Sequence, residues 1–249
     1  MTKAEEQFLD RLEQFIADFT LTENQIHQLR IFYDNLLEWN KVMNLTAITE
    51  EEDVYTKHFL DSYSFLTSVP RETICGGDNT IRLIDVGTGA GFPGIPIAIA
   101  FPDIHVTLMD SLNKRIKFLE DTVQKLGLTN VTCIHSRAEE LAHNVKYREQ
   151  YDIVVSRAVA NLSTLSEYCI PFAKIGGKFI AYKGDKVSEE IPSGNKAAAI
   201  LGAKLTREFS FYLPETDYRR TILTYTKKES TGKRYPRKAG TPAKEPLGV

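Results

Sequence analysis

The sequence predicts an α/β fold: a parallel sheet between helices that closes on an antiparallel hairpin and is preceded by a helical extension. Three observations predict it. Short apolar runs alternate with helical stripes from residue 81 to residue 201, which calls for a parallel sheet with right-handed crossovers. Two longer runs, 204–213 and 218–227, face each other across the Pro214–Asp217 segment as a hairpin. The first forty residues carry helix-period stripes, with a chain of 249 residues and 42% hydrophobic content large enough for a substantial core.

In chain order, Phe8, Leu12, Phe15, Ile16 and Phe19 form the first stripe, and Ile26, Leu29, Phe32, Tyr33, Leu36 and Leu37 the second. Thr22 and Gln25 between them have the spacing of a capping box. The segments Trp39–Thr49 and His58–Ser62 lack a clean period; their polar residues either line a site or cap and turn, and His58 with Asp61 reads as a structural pair. Residues 81–86 read as the first strand, 104–109 as the second, 130–135 as the third, 151–155 as the fourth and 178–183 as the fifth. A helix starts at about Pro93 and is closed by Pro102. Ser111 is expected to cap the next, whose stripe stops at Gly127. Residues 189–201 form a further helix.

The chemistry gathers at Asp85-Val86-Gly87-Thr88-Gly89-Ala90-Gly91-Phe92-Pro93-Gly94. A buried strand, a glycine turn and a helix start make a nucleotide-type cradle, because backbone amides without Cβ atoms can touch a ligand. Gly89, Gly91 and Gly94 match the spacing of dinucleotide folds. Gly87, Gly89 and Gly91, preceded by Asp85, instead resemble motif I of S-adenosylmethionine-dependent methyltransferases, and this register places the first glycine directly after the strand. Asp110 follows Gly87 by 23 residues, close to the roughly 20-residue offset of a ribose-binding carboxylate. Arg137 and Arg157 stand at the ends of the third and fourth strands, where ligands meet such sheets, although either arginine could instead pair with Glu139 or Glu140.

Net charge is −2, yet residues 227–249 hold seven Lys or Arg against two Glu. This tail is too polar and proline-rich to fold alone, and its expected partner is a polyanion. Tyr235 and Pro236 would offer a stacking face between Lys233, Arg234, Arg237 and Lys238. Three widely spaced cysteines argue against a disulfide framework or a four-cysteine zinc site. The sequence shows no signal peptide and no apolar run long enough for a bilayer, so a cytoplasmic protein without membrane or metal is expected, and no obligate protein partner is evident. The expected divisions are a helical extension (1–70), a catalytic domain (71–228) and a basic tail (229–249).

The glycine loop, together with Glu38-Trp39-Asn40-Lys41, Met43-Asn44-Leu45-Thr46, His58-Phe59-Leu60-Asp61-Ser62, Asp110-Ser111-Leu112, Val155-Ser156-Arg157-Ala158 and Arg234-Tyr235-Pro236-Arg237-Lys238-Ala239-Gly240-Thr241-Pro242, resembles the RsmG (GidB) family of bacterial 16S ribosomal RNA methyltransferases. The resemblance runs from about residue 30 onward. It implies a class I S-adenosylmethionine-dependent methyltransferase fold, Rossmann-like, with a seven-stranded sheet. It also implies S-adenosyl-L-methionine as cofactor, held by Gly87, Gly89, Phe92, Asp110, Ala138, Glu139 and Arg157, and 7-methylguanosine in 16S ribosomal RNA or the small ribosomal subunit as product. Lys233, Arg234, Arg237 and Lys238 are the expected RNA-binding residues. Guanine N7 carries a lone pair and no proton, which suits a chain with neither an Asp-Pro-Pro-Tyr motif nor a Pro-Cys nucleophile. On the residues alone, a nicotinamide-dependent oxidoreductase and a non-catalytic RNA-binding or ribosome-assembly protein stay open as alternatives.

Overall fold

The computed structural model describes residues 1–75, 80–157 and 160–249; Ala158 and Val159, part of the run after the fourth strand, lie outside them. The chain begins with α1 (Lys3–Phe15) and α2 (Glu23–Met43). It continues through α3 (Glu51–Val54), which runs on into a π-helical turn (Tyr55–Leu60) and a 3₁₀ turn (Tyr63–Thr67), to α4 (Arg71–Cys75). Then follow β1 (Arg82–Val86), α5 (Gly94–Ala100), β2 (His105–Asp110), α6 (Asn113–Leu126), β3 (Val131–His135), α7 (Ala138–Leu141) and β4 (Tyr151–Arg157). After these come α8 (Leu162–Cys169), β5 (Ala173–Lys183), α9 (Ile191–Ile200), β6 (Ala203–Tyr212), β7 (Arg219–Lys227) and α10 (Thr241–Lys244).

The sheet has seven strands in the order β3-β2-β1-β4-β5-β7-β6. The first five run parallel, and β7 is antiparallel to both neighbours, as the hairpin pattern predicts. Chain order reverses between β1 and β4. At such a switch point the loops leaving the two strands diverge and open a crevice at their carboxyl ends. Val86, Asp110 and Arg157 all close their strands there. β5 starts earlier than the expected 178: Ala173 already pairs with Tyr151, and the register slips before Ile153 pairs with Lys178. The Gly176-Gly177 pair therefore lies inside an irregular strand.

The helical extension is held on the sheet's helices by buried and half-buried polar contacts. Asn35 Nδ2 donates to Thr122 Oγ1 at 2.8 Å, Trp39 Nε1 to Asp121 at 2.8 Å, and Gln25 Nε2 to the Ile99 carbonyl at 2.8 Å. Gln25 also closes the expected capping box with Thr22. The first stripe runs past its helix: α1 ends at Phe15, where Ile16 turns extended with φ of −131°, and Asp18, with φ of 60°, lies in the turn that follows, so Ile16 and Phe19 lie outside the helix. The fully buried Glu5 accepts from Arg30 and from Tyr55, which ties α1 to α2 and to the π-helical turn. Phe8, Phe32, Tyr55, Phe59 and Tyr63 then share one apolar core with β1 and α5.

The tail departs from expectation. It folds against the domain instead of standing free. Thr231 and Tyr235 are buried. Arg148 donates to the carbonyls of Tyr235 (2.8 Å) and Thr231 (2.6 Å). Lys227, buried beside β7, donates to the Thr231 hydroxyl at 2.6 Å. Polar composition does not reveal this docking, because the partners are backbone carbonyls and side chains far back in the chain. Tyr235, 6% exposed, offers no stacking face.

Candidate active site

The cradle is built from the end of β1. Gly87, Gly89 and Gly91 have φ of 71°, 61° and 88°, left-handed values that favour glycine. At Gly89 a Cβ would meet nothing within 4 Å, so the loop presents bare backbone to open space. At Gly94 a Cβ would stand 2.3 Å from Leu108 Cδ2, so only glycine lets α5 start this close to β2. Asp85 fastens the turn: its Oδ2 accepts from the Thr88 hydroxyl at 2.7 Å and the Gly94 amide at 2.9 Å. Its Oδ1 is buried without a partner, and burial raises its pKa to about 6.

Asp110, 2% exposed, accepts from the Gly89 amide at 3.0 Å and from Arg115 at 3.2 Å on Oδ2, and from the Leu112 amide at 2.9 Å on Oδ1. The carboxylate holds the amide of Leu112, the residue that precedes α6, and the helix start carries no side-chain cap. Ser111 offers α6 no side-chain cap; its carbonyl faces His135 at 3.1 Å. A carboxylate next in the chain reaches the amide with better acceptor strength than a hydroxyl.

Two hollows flank Gly87 and Ser111. One, of about 400 Å³, is lined by Thr46, His58, Gly87, Gly89, Phe92, Asp110, Arg115 and Arg157. The other, of about 290 Å³, is lined by Arg137, Ala138, Glu139, Thr164, Tyr168 and Ala243. All seven residues expected at the cofactor therefore lie along one cleft. Glu139 is 7% exposed, and its Oε1 accepts from the Gly240 amide at 3.0 Å, so the C-terminal segment closes this end. That segment is anchored by Arg237, which makes a bidentate pair with the fully buried Glu167 at 3.0 and 2.7 Å. Of the four cations expected to contact RNA, Arg237 is occupied in this way, while Lys233, Arg234 and Lys238 are exposed.

The opposite end is a charged junction. Arg157 donates to Asp61 Oδ2 at 3.0 Å, to His58 Nδ1 at 3.1 Å and to the Lys57 carbonyl at 3.2 Å, and lies over the Phe92 ring at 5.0 Å. His58 stacks on Phe92, with ring centroids 4.5 Å apart. Burial, with the Arg157 charge, holds the His58 pKa down to about 3. The ring is therefore neutral. Since Nδ1 accepts from Arg157, Nε2 carries the hydrogen and donates to Thr46 Oγ1 at 3.0 Å. Asp61, 1% exposed, also accepts from Arg220 at 3.0 Å. Asp61 and Arg220 are 159 residues apart, so no sequence spacing signals this pairing, although the His58–Asp61 stretch stands out for its lack of period.

S-adenosylmethionine suits these residues. The glycine loop presents bare backbone to the hollow at Gly89, where a Cβ would meet nothing within 4 Å, so a ligand can approach the main chain there. Asp110 lines the first hollow at the strand end, the place of an acceptor for ribose hydroxyls, and the hollow at Ala138 and Glu139 has Val86, Met109, Tyr168 and Ala243 among its walls.

Switch-point cleft, glycine cradle and strand-end carboxylate define the class I methyltransferase fold. An S-adenosylmethionine-dependent O-methyltransferase from Thermotoga maritima shares the fold at 18% identity and TM-score 0.50, covering 79% of this chain and 73% of that one. Ribosomal protein L11 methylase from Lactobacillus delbrueckii subsp. bulgaricus does so at 15% identity and TM-score 0.50, covering 70% and 79%. Within this class the chain matches the GidB family model, rRNA small subunit methyltransferase G, over residues 25–215, and it belongs to that family. It is 52% identical to the ribosomal RNA small subunit methyltransferase G of Lachnoclostridium phytofermentans over 91% of each chain. Its similarity to the protein of the same name from an Exiguobacterium species is 48%, over 98% of this chain and 99% of that one. The family model ends before the tail, whereas the second relative aligns through it.

Proposed function

We propose that this chain transfers a methyl group from S-adenosylmethionine to N7 of a guanosine in 16S ribosomal RNA, acting in the cytoplasm on the RNA or on the small ribosomal subunit. Membership of the family carries the ribosomal substrate. The observation that carries the chemistry is the junction at Arg157: among the described residues, no side chain there is poised to remove a proton. His58 has its one basic nitrogen occupied by Arg157, and both Asp61 oxygens accept from arginines. Guanine N7 needs no base. When bound, the cofactor supplies the electrophilic methyl group.

The protein's part is positioning. Gly87 and Gly89 let the backbone approach the ligand, Asp110 receives the ribose hydroxyls, and Ala138 and Glu139 enclose the adenine. Arg157 and Phe92 fix the reacting end. Holding nucleophile and methyl group in line is worth roughly 7–11 kcal/mol. Lys233, Arg234 and Lys238, exposed on the C-terminal segment, contact phosphates of the RNA; Arg237 holds that segment in place. The test is methyl transfer from labelled S-adenosylmethionine to small subunits from cells lacking this gene, with the modified nucleoside identified by mass spectrometry. 7-Methylguanosine appearing in 16S RNA is the expected result. Label in protein, or no label while the cofactor binds, overturns the reading.

A further inference from the structure

Arg157 and His58 have a second side. Beyond them lies a separate cavity of about 370 Å³, lined also by Lys57, Asp61, Lys183, Gly184 and Arg220, with none of the glycine-loop residues in its wall. We infer that this cavity receives the acceptor nucleotide, and that Gly184 and Arg220 are respectively its shape-determining and its phosphate-binding residues. The inference rests on the proposed methyl transfer and names the substrate side of that site.

The order of groups along the cleft supports it. Glu139 marks one end, Asp110 the middle and Arg157 the other, so a cofactor with its adenine against Glu139 and its ribose at Asp110 directs its reactive end toward the Arg157–His58 junction. Displacement in line requires the nucleophile to come from the far side, and the second cavity is that side. Its size suits one nucleotide. Its charge does too: Lys57, Lys183 and Arg220 supply three cations besides Arg157, against the single carboxylate of Asp61 within the wall. Lys57 and Lys183 are half-neutralised from outside, by Asp53 at 2.7 Å and Glu190 at 2.6 Å. Arg220 spends Nε on Asp61 and Nη1 on the Arg219 carbonyl, and its Nη2 has no partner among the described residues. An arginine that took guanine O6 and N7 together, its usual pairing, would mask the atom to be methylated. Arg220 therefore serves the phosphate. Outside the lining, beside Lys57 and Arg220, Tyr218 is 40% exposed and is steadied by Lys57 at 4.4 Å and Arg220 at 5.9 Å from its ring centre, leaving ring surface on which a neighbouring base can stack.

Gly184 gives a clean test. Its φ of −98° is open to any residue, and a Cβ there meets nothing within 4 Å. Gly184→Phe should fill the cavity while the protein folds and binds S-adenosylmethionine, measured by calorimetry, as the wild type does. Methyl transfer should fall by about 100-fold, and binding of a guanosine-containing 16S fragment without cofactor should weaken. Arg220→Gln, which can still donate to Asp61, should raise KM for the RNA more than it lowers kcat, and should reduce the salt slope of RNA binding by about one unit. Full transfer by Gly184→Phe, or loss of cofactor affinity in step with activity, overturns the assignment. A wild type that binds the RNA fragment but transfers no methyl group would instead fail the proposed function, and the RNA affinity of the two variants would still decide what the cavity holds.

Discussion

The two ends of the cleft proposed for the cofactor are closed by segments from the two ends of the chain, with different chemistry. At Arg157 the N-terminal extension contributes side chains, His58 and Asp61, to a buried network of charges. At Glu139 the C-terminal segment contributes a backbone amide from Gly240, the small Ala243 and a remote anchor, Arg237 on Glu167. The first wall is set by electrostatics and is vulnerable to single side-chain changes within it. The second is set by shape and tolerates changes along it, but depends on the anchor that keeps it seated.

The largest effect is expected at Asp61. Asp61→Ala leaves Arg157 and Arg220 without their shared carboxylate, and breaking a buried pair costs about 3–5 kcal/mol. Urea unfolding should show a loss of that order together with lost methyl transfer; a shift below about 1 kcal/mol would mean that the junction is solvated and the contrast between the walls is false. Next comes the anchor. Arg237→Ala strands the fully buried Glu167, and should lower stability by about 2–4 kcal/mol and S-adenosylmethionine affinity with it. Lys233, Arg234 and Lys238 changed together to Ala should leave cofactor affinity alone and reduce only RNA binding. Equal calorimetric affinity for both variants would show that the tail is no part of the cofactor wall.

Acid should separate the ends further. The folded pKa of His58 is lowered to about 3 from an ordinary 6.5. Between those values the unfolded chain binds the proton and the native one does not, so this stability is full above pH 6.5 and is lost as pH falls. By pH 4.5 the loss from His58 alone is about 2–3 kcal/mol. Asp85 opposes it, because its pKa is raised to about 6 and the native state keeps a proton that the unfolded chain releases. Comparing wild type with His58→Gln at pH 7 and pH 4.5 isolates the histidine: the variant should lose less on acidification by that amount. The smallest effect belongs to Arg115. Its partly exposed guanidinium competes for the Asp110 oxygen, so Arg115→Ala should change S-adenosylmethionine affinity by less than about 1 kcal/mol, in the direction of tighter binding.

The sheet, the hairpin, the glycine loop and the strand-end residues Asp110 and Arg157 are legible in the sequence because local rules fix them: strand period, glycine spacing and strand termini. The walls are not. Asp61 meets Arg157 across 96 residues of chain and Arg220 across 159, and only the folded sheet brings them together. Glu167 looks like any helical glutamate until Arg237 is seen to bury it. The tail's composition correctly marks it as unable to fold alone, yet composition does not reveal that Arg148, His143 and Glu139 wait to receive it. Ser111 has the residue type of a helix cap, but α6 starts one residue later, at Leu112, without a side-chain cap, and Asp110 holds the Leu112 amide.

The position of Ala243 in the wall of the hollow at Glu139, and of the Gly240 amide on Glu139 itself, sets a timetable. A chain emerging residue by residue can complete its seven strands and its glycine loop before either residue is made, but it lacks the surface that closes the hollow at Glu139. On the proposed placement of the adenine at Glu139, the complete cofactor site forms only after the sheet has been made, so the stabilisation that ligand binding adds to the native state comes late.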